Sequence, residues 1–507
     1  MSLEPTPQPK ITFEQLFSRS YGSAKIGVFG CGHHMYWGQF PGLRDKLIGH
    51  QTHFENRLRA HGVHIVSAGL IDESRPAFEA GEMFRREGID FLICYVSTYA
   101  ISSGVLPVVQ RAGVPLLIVS LQPNKAMDYA NGTTVMQLEH DNATSLPEMC
   151  NALRRANIEP VGMVVGTLHD DERAWNRIFD WCKIARAYAA VRSARIGMIG
   201  HTYEGMLDMN FDPTMFDAKF GMHAEHLEMD DLAVRVAQVT DEQIERKLEE
   251  IHALFDFPEP GADPIAGPAK PEDVRWAAQV ACAIDKLFKD FGLTALTYYY
   301  RGLDGNLNER IGATFIVGSS LLTGQGFPVA GELDLKNCLA MLIVDRLEAG
   351  GSFAEIHPCD FENNIILVGH DGPHHIGVAE GRPVLRGLSV YHGKRGYGVG
   401  VEFQLKVGPI TIVALSTTAD GRFRFIVAEG ESLAGPIPPT GNTNTRCRFE
   451  PDVSTFIENW SLEGPTHHFA LGIGHIAHLI EGFARCWGIE CVNVTDPAYR
   501  RPQYIRR

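Results

Sequence analysis

The sequence predicts an α/β protein: two parallel-sheet α/β domains followed by a C-terminal β-rich domain of antiparallel, barrel-like character. Three observations carry this expectation. From Lys25 onward, short buried apolar runs alternate with amphipathic helical segments, the pattern of a parallel sheet covered on both faces. At Ala194 the chain starts again, because Arg195-Ile196-Gly197-Met198-Ile199-Gly200-His201 echoes Lys25-Ile26-Gly27-Val28-Phe29-Gly30. In the last third, β-rich runs at Ile410–Leu415 and Arg422–Val427 flank Ala419-Asp420-Gly421, a hairpin turn signal. The implied domains are residues 1–193, 194–347 and 348–507.

Taken in order, residues 1–21 read as a polar arm and a short helix. Strands are expected at Ile26–Phe29, Val63–Val66, Phe91–Val96, Leu116–Val119 and Val161–Val165, with helices near 40–60, 74–87, 101–112, 145–156 and 172–191. Such sheets place ligands at the carboxyl ends of their strands. The first end carries Gly30-Cys31-Gly32-His33-His34-Met35-Tyr36-Trp37. Met35 occupies the third glycine position of GxGxxG, so a dinucleotide fingerprint is poorly supported. A polar, aromatic pocket lip and a simple His-rich turn both fit. In the second domain Tyr203, Met206 and Met209 are candidate cleft residues, although Met more often packs in a core. The Pro/Gly-rich stretch 257–273 reads as a loop, followed by a helix over about 272–290 and a strand at Leu293–Tyr300. Residues 433–452 read as a further loop, 469–487 as a helix and Glu490–Val494 as a strand.

Length and composition narrow the function. A chain of 507 residues exceeds one ordinary core, so two to four domains are expected. A hydrophobic content of 45% with 21% charged residues is that of a soluble globular protein. A net charge of −15 disfavours nucleic acid as the main partner. The 10 cysteines include no CxxC pair, so reduced core thiols are expected rather than a disulfide framework or zinc ribbon. Without an apolar leader or a run of roughly 20 apolar residues, a cytoplasmic protein without membrane contact is expected.

The chemistry concentrates between Gly326 and His375. Glu332 and Glu355 flank a helical segment, and the apolar run Ile365–Val368 delivers His370 into a Gly/His/Pro turn. Thr466-His467-His468 follows much later. Two Glu and two His, with no thiolate, would suit Mn²⁺, with Co²⁺ or Mg²⁺ as alternatives, better than structural zinc. A blander reading has Glu332 favouring the helix dipole and Asp334 capping the helix that starts near Leu335. His374 and His375 read as solvent-exposed turn residues. His467 should point away from the site, since neighbouring side chains diverge. A GxSxG elbow, a P-loop and a kinase signature are all absent.

These residues resemble the L-arabinose isomerase family. Its Glu-Gly-Asp-Trp-Lys motif corresponds to Glu332-Leu333-Asp334-Leu335-Lys336, and its Phe-Met-Glu-Asp to Phe353-Ala354-Glu355-Ile356. Its Gly-Ser-His is matched by Gly369-His370 with one position lost, and its His-His by His467-His468. The resemblance implies metal ligands at Glu332, Glu355, His370 and His468, with both Glu residues catalytic, and oligomers, typically hexamers, with active sites shared between subunits. Departures fall on the sugar side. The family's Gln-His-Leu-Tyr is His33-His34-Met35-Tyr36, and its His-Thr-Gln-Phe-Asn is Ser120-Leu121-Gln122-Pro123-Asn124. Its Phe-Glu pair is Tyr300-Arg301. The expected substrate contacts are therefore His33, His34, Tyr36, Gln122, Tyr203, Tyr300 and Arg301. A metal-dependent aldose–ketose isomerase working through a cis-enediol, with altered sugar specificity, is the leading expectation. Alternatives are an epimerase or other enediol enzyme on a sugar acid, and a non-catalytic sugar-binding protein. Arg301 would favour an anionic substrate unless it pairs with Asp304.

Overall fold

Five short apolar strands, each followed by a helix, make the first sheet. The structure is a computed structural model that describes residues 21–258, 266–301, 303, 305–389, 395–440 and 442–500. The arm expected in residues 1–20, the middle of the 257–273 loop and Asp304 therefore lie outside the described residues. One compact unit is Gly22–Ala190, and the chain from Val191 onward forms another.

In the first unit, β1 (Lys25–Cys31), β2 (His64–Ile71), β3 (Phe91–Val96), β4 (Leu116–Gln122) and β5 (Gly162–Thr167) are all parallel, in the order β2-β1-β3-β4-β5. Every residue of β3 is buried, which is why Phe-Leu-Ile-Cys-Tyr-Val reads as a continuous apolar run. Helices Leu43–Ala60, Ser74–Glu87, Leu106–Ala112, Ser145–Arg155 and Glu172–Arg192 lie between and after the strands. The strand order reverses at β1, the position at which such sheets open a crevice. His33, His34 and Tyr36 follow β1 there, and Gln122 ends β4.

The second unit opens with another parallel sheet. Its strands are β6 (Arg195–Gly200), β7 (His223–Leu227), β9 (Ala295–Tyr299) and β10 (Val329–Ala330), in the order β10-β9-β6-β7, while β8 (Ala266–Gly267) belongs elsewhere. The helix Leu335–Arg346 then leads into an antiparallel barrel. Its staves are β11 (Gly350–Asp360), β12 (Ile365–His370), β15 (Gly408–Thr417), β16 (Phe423–Leu433), β17 (Thr443–Phe449) and β18 (Phe469–Ile473). They run in the order β15-β18-β11-β12-β17-β16, and β16 pairs back onto β15, closing the ring. β19 (Glu490–Asn493) adds in parallel beside β16. A small sheet of β8, β13 (Val384–Leu388) and β14 (Val399–Glu402) completes the unit. Two parallel sheets and a closed antiparallel barrel match the predicted fold class. Among the described residues, no helix is long and apolar enough to cross a membrane.

Two sequence expectations fail here. Residues 469–487 are not one helix: 469–473 form β18, Gly474 turns with φ 95°, and the helix occupies Ala477–Trp487. A short apolar run cannot reveal its own period, and pairing with both β11 and β15 decides this one. The 433–452 loop contains β17, whose polar start is buried, with Thr443 donating to Val401 O, Thr445 accepting from Leu405 N and Asn444 meeting His357.

The helix Leu335–Arg346 is the joint of the unit. It is buried from Leu335 through Asp345, packed against the strands of both the parallel sheet and the barrel. To enter it from β10, the chain turns through Gly331-Glu332-Leu333, and Glu332 and Leu333 both adopt left-handed backbone, φ 57° and 56°. Left-handed backbone costs a β-carbon-bearing residue roughly 1–2 kcal/mol. The turn is held by Leu333 N donating to Tyr298 O at 3.0 Å and Asp334 N to Gly331 O at 3.1 Å, and by burial of the Leu333 side chain, 5% exposed.

That strain predicts an inverted substitution order. Leu333→Ala loses the burial and keeps the left-handed penalty, whereas Leu333→Gly loses the burial and sheds the penalty. The glycine variant should be the more stable of the two by about 1 kcal/mol. Thermal melts of the two variants check this, and an alanine variant melting higher would contradict the strained turn.

Candidate active site

Four side chains from four separate segments meet in one cluster. Glu332 comes from the strained turn, Glu355 from the middle of β11, His370 from the end of β12, and His468 from the residue before β18. Register explains the convergence. Ala354 pairs with Phe469, so the preceding His468 enters beside Glu355, while Gly369 pairs with Glu355 and carries His370 past it. Gly369 has no alternative: a β-carbon there would stand 1.8 Å from Thr443 O on β17. Beneath the two imidazoles lies the buried Phe353 ring, 4.5 Å from His370 and 4.4 Å from His468 between centroids.

The donor atoms face one another. His370 Nε2 is 3.9 Å from Glu355 Oε1, and His468 Nε2 is 3.9 Å from Glu332 Oε2. Glu355, His370 and His468 each offer an atom within 4.8 Å of the others, and so do Glu332, His467 and His468. Two of these atoms, Glu332 Oε2 and His468 Nε2, are buried with no hydrogen-bond partner. Burying such polar atoms without a partner is costly, and a cation between them would relieve the cost. Oxygen and imidazole nitrogen donors with no thiolate fit a divalent cation of the Mn²⁺, Co²⁺ or Mg²⁺ type.

Supporting residues orient this set. His468 Nδ1 donates to Asp334 Oδ2 at 3.0 Å, which fixes the tautomer and turns the Nε2 lone pair toward the site. Asp334 also caps its helix by accepting from Asn337 N at 2.9 Å. His357 Nε2 donates to Glu355 Oε1 at 3.1 Å, and its Nδ1 meets Asn444 Oδ1. Both ring nitrogens face acceptors; burial disfavours the charge, but these bonds prevail and raise the His357 pKa. The two carboxylates are driven apart. Burial raises Glu332 against the pull of His468 and His467. Glu355 is buried too, yet the His357 hydrogen bond and the nearby imidazoles hold it below the usual carboxylate value. Opposed shifts in one pocket are a mark of acid–base sites.

His467 departs from expectation. Its ring lies 3.8 Å from that of His468 rather than diverging, because the segment before β18 is irregular and does not alternate faces. Its Nδ1 bonds Asp208 Oδ2 at 2.7 Å, while its Nε2 is buried without a partner. Lys336, 2% exposed, pins the backbone of that segment by donating to the carbonyls of Asp208 and Asn210. His374 and His375 are each 1% exposed, not solvent-facing, since their backbone amides donate to Ser320 Oγ and Ser352 Oγ inside the unit.

A cavity of about 960 Å³ opens over the site, lined by Glu332, Glu355 and His370 and by Tyr203, Tyr300 and Arg301 from the expected substrate contacts. Glu309, Arg395, Tyr397 and Asn444 line it as well. Sequence reading missed all four, together with Asp208, His357 and the second role of Asp334; only the helix-capping pattern at Asp334 left a local trace. His33, His34 and Tyr36 form an aromatic cluster with Tyr99 in the first unit, ring centroids 5.1–6.5 Å apart. Gln122 of that unit donates to Asn124 O at 2.9 Å.

Comparison with known proteins is consistent with this geometry. Residues 210–350 match the L-arabinose isomerase central domain and residues 350–490 the L-arabinose isomerase C-terminal domain, together more than half of the chain. An L-arabinose isomerase of Nocardioides sp. is 24% identical over 442 residues, covering 83% of this chain and 85% of the relative. L-arabinose isomerase 1 of Bacillus licheniformis is 23% identical over 432 residues, 84% of each chain. The L-arabinose isomerase of Escherichia coli K12 is 24% identical over 347 residues, 66% of this chain and 67% of the relative.

The double use of Asp334 generates a test. Asp334→Ala removes the helix cap and leaves His468 Nδ1 buried and unpaired. The expected loss is about 2–4 kcal/mol, read as a clearly lower melting temperature. A melt within a degree of the parent would show that this carboxylate does not hold the joint.

Proposed function

This chain belongs to the L-arabinose isomerase family, a membership that supports an aldose–ketose isomerase, and we propose that it works with a divalent cation on a sugar other than the family's usual one. The single observation that carries the reading is the convergence of Glu332, Glu355, His370 and His468, with buried donor atoms left unpartnered. These four residues would hold the cation. When bound, it would polarise the sugar carbonyl and acidify the adjacent C–H.

The chain's own residues supply the rest. Glu332, whose Oε2 accepts no hydrogen bond, is placed to take a carbon-bound proton and return it to the neighbouring carbon, giving a cis-enediol between. Glu355 is pinned by His357 and so serves to orient the adjacent hydroxyl and help move its proton. Tyr203, Tyr299 and Tyr300 wall the cavity and limit water around the reacting carbons. The altered specificity is carried by Tyr300 and Arg301, which stand where the family has an aromatic followed by an acid.

The test begins with the full chain stripped by chelator and reloaded with Mn²⁺, Co²⁺ or Mg²⁺. One cation per chain should bind, and NMR in D₂O should show C–H exchange on an aldose or ketose only in the reloaded protein. Glu332→Gln should lower that exchange about 10²–10⁴-fold, and Asp334→Asn should weaken the cation about 10–100-fold through His468. Absence of both binding and exchange across a sugar panel would leave the non-catalytic reading standing. Exchange without net isomerisation would favour an epimerase.

A further inference from the structure

The cavity lining carries charges of both signs, and one of its two arginines has no carboxylate partner among the described residues. The lining carboxylates are Glu309, Glu332, Glu355 and Asp371, and the lining arginines are Arg301 and Arg395. Glu309, 5% exposed, forms an ion pair with Arg395 Nε at 3.2 Å and accepts from the Tyr397 hydroxyl. Glu355 is bonded to His357, Asp371 lies 3.6 Å from His370 Nδ1, and Glu332 faces His468. None of these carboxylates has Arg301 as an ion-pair partner among the described residues. Arg301 is exposed, touches the Tyr299 side chain, and makes no ion pair among the described residues.

Space points the same way. A cavity of about 960 Å³ sits at the top of the roughly 300–1,000 Å³ span typical of small-molecule sites. Arg301, Gly312, Arg395 and Tyr397 line the same cavity as Glu332 and Glu355, and a β-carbon on Gly312 would stand 3.4 Å from the Tyr300 side chain.

From these observations we infer that the substrate is a sugar bearing an anionic group, phosphate or carboxylate, with Arg301 as the residue that reads it. A guanidinium fork matches either oxyanion in two parallel hydrogen bonds. The inference deepens the proposed function and rests on it only for the substrate being a sugar.

Three non-reacting probes test it by calorimetry on the full chain: a pentitol, its terminal phosphate ester, and the corresponding pentonate. The parent should bind at least one anionic probe about ten- to a hundredfold more tightly than the pentitol. The stronger anion distinguishes phosphate from carboxylate. Arg301→Gln should collapse that ratio to within about threefold, and Arg301→Lys should restore part of it, since charge remains without the fork. Equal affinity for all three probes in the parent, an unchanged ratio in Arg301→Gln, or no binding of any probe at millimolar concentration overturns the inference. The C–H exchange assay is separate: anionic preference without exchange on any sugar sinks the isomerase reading alone, and exchange without anionic preference sinks only this one.

Discussion

One carboxylate sustains the architecture of the site. Asp334 closes the first turn of the helix Leu335–Arg346 and at the same time receives the Nδ1 proton of His468, 134 residues further along the chain. The helix joins the parallel sheet to the barrel, and the histidine stands immediately before the last stave the chain delivers. A single buried group thereby couples the position of the joint to the aim of an imidazole. The coupling is stiff because both partners are wholly buried, where an unmade hydrogen bond cannot be replaced by water.

Around that fixed point the electrostatics are arranged by contrast. Glu332 and Glu355 share a cavity yet differ in support, one left without a hydrogen-bond partner at Oε2 and one bonded by a cationic-leaning His357. Asp208 and His467 add a second paired set at the edge of the same cluster, with Lys336 holding the backbone beneath it. Phe353 supplies an apolar floor under His370 and His468, which limits their hydration. Such surroundings make each neighbouring charge count for more than it would in water.

Much of this was legible in the sequence, and the rest was hidden for physical reasons. The parallel strands of the first unit declared themselves because Phe91–Val96 and Leu116–Val119 are apolar runs that only a doubly covered sheet accommodates. β17 stayed hidden because Thr443, Asn444 and Thr445 carry no period-2 alternation, and β18 because five apolar residues fit a helix as well as a strand. Of the site, Glu332, Glu355, His370 and His468 could be named from motif resemblance and ligand chemistry. Their helpers could not: Asp208, His357 and Asn444 owe their roles to register across β11, β12 and β17 or to contacts spanning hundreds of residues. His467 was misread because alternation was assumed where the chain is irregular.

The closure of the barrel has a consequence for the order of events during synthesis. β18 slots between β11 and β15, and β16 seals the ring against β15. Until that last insertion His468 has no fixed position, although Glu332, Glu355 and His370 emerge far earlier. The pairings of β18 with β11 and β15 are long in sequence separation and carry the loop-closure cost that makes such topologies slow to form. The donor set is therefore a product of completion. A nascent or truncated chain ending before β18 presents acids and an imidazole without their fourth partner, and the four-residue cluster is complete only with the finished ring.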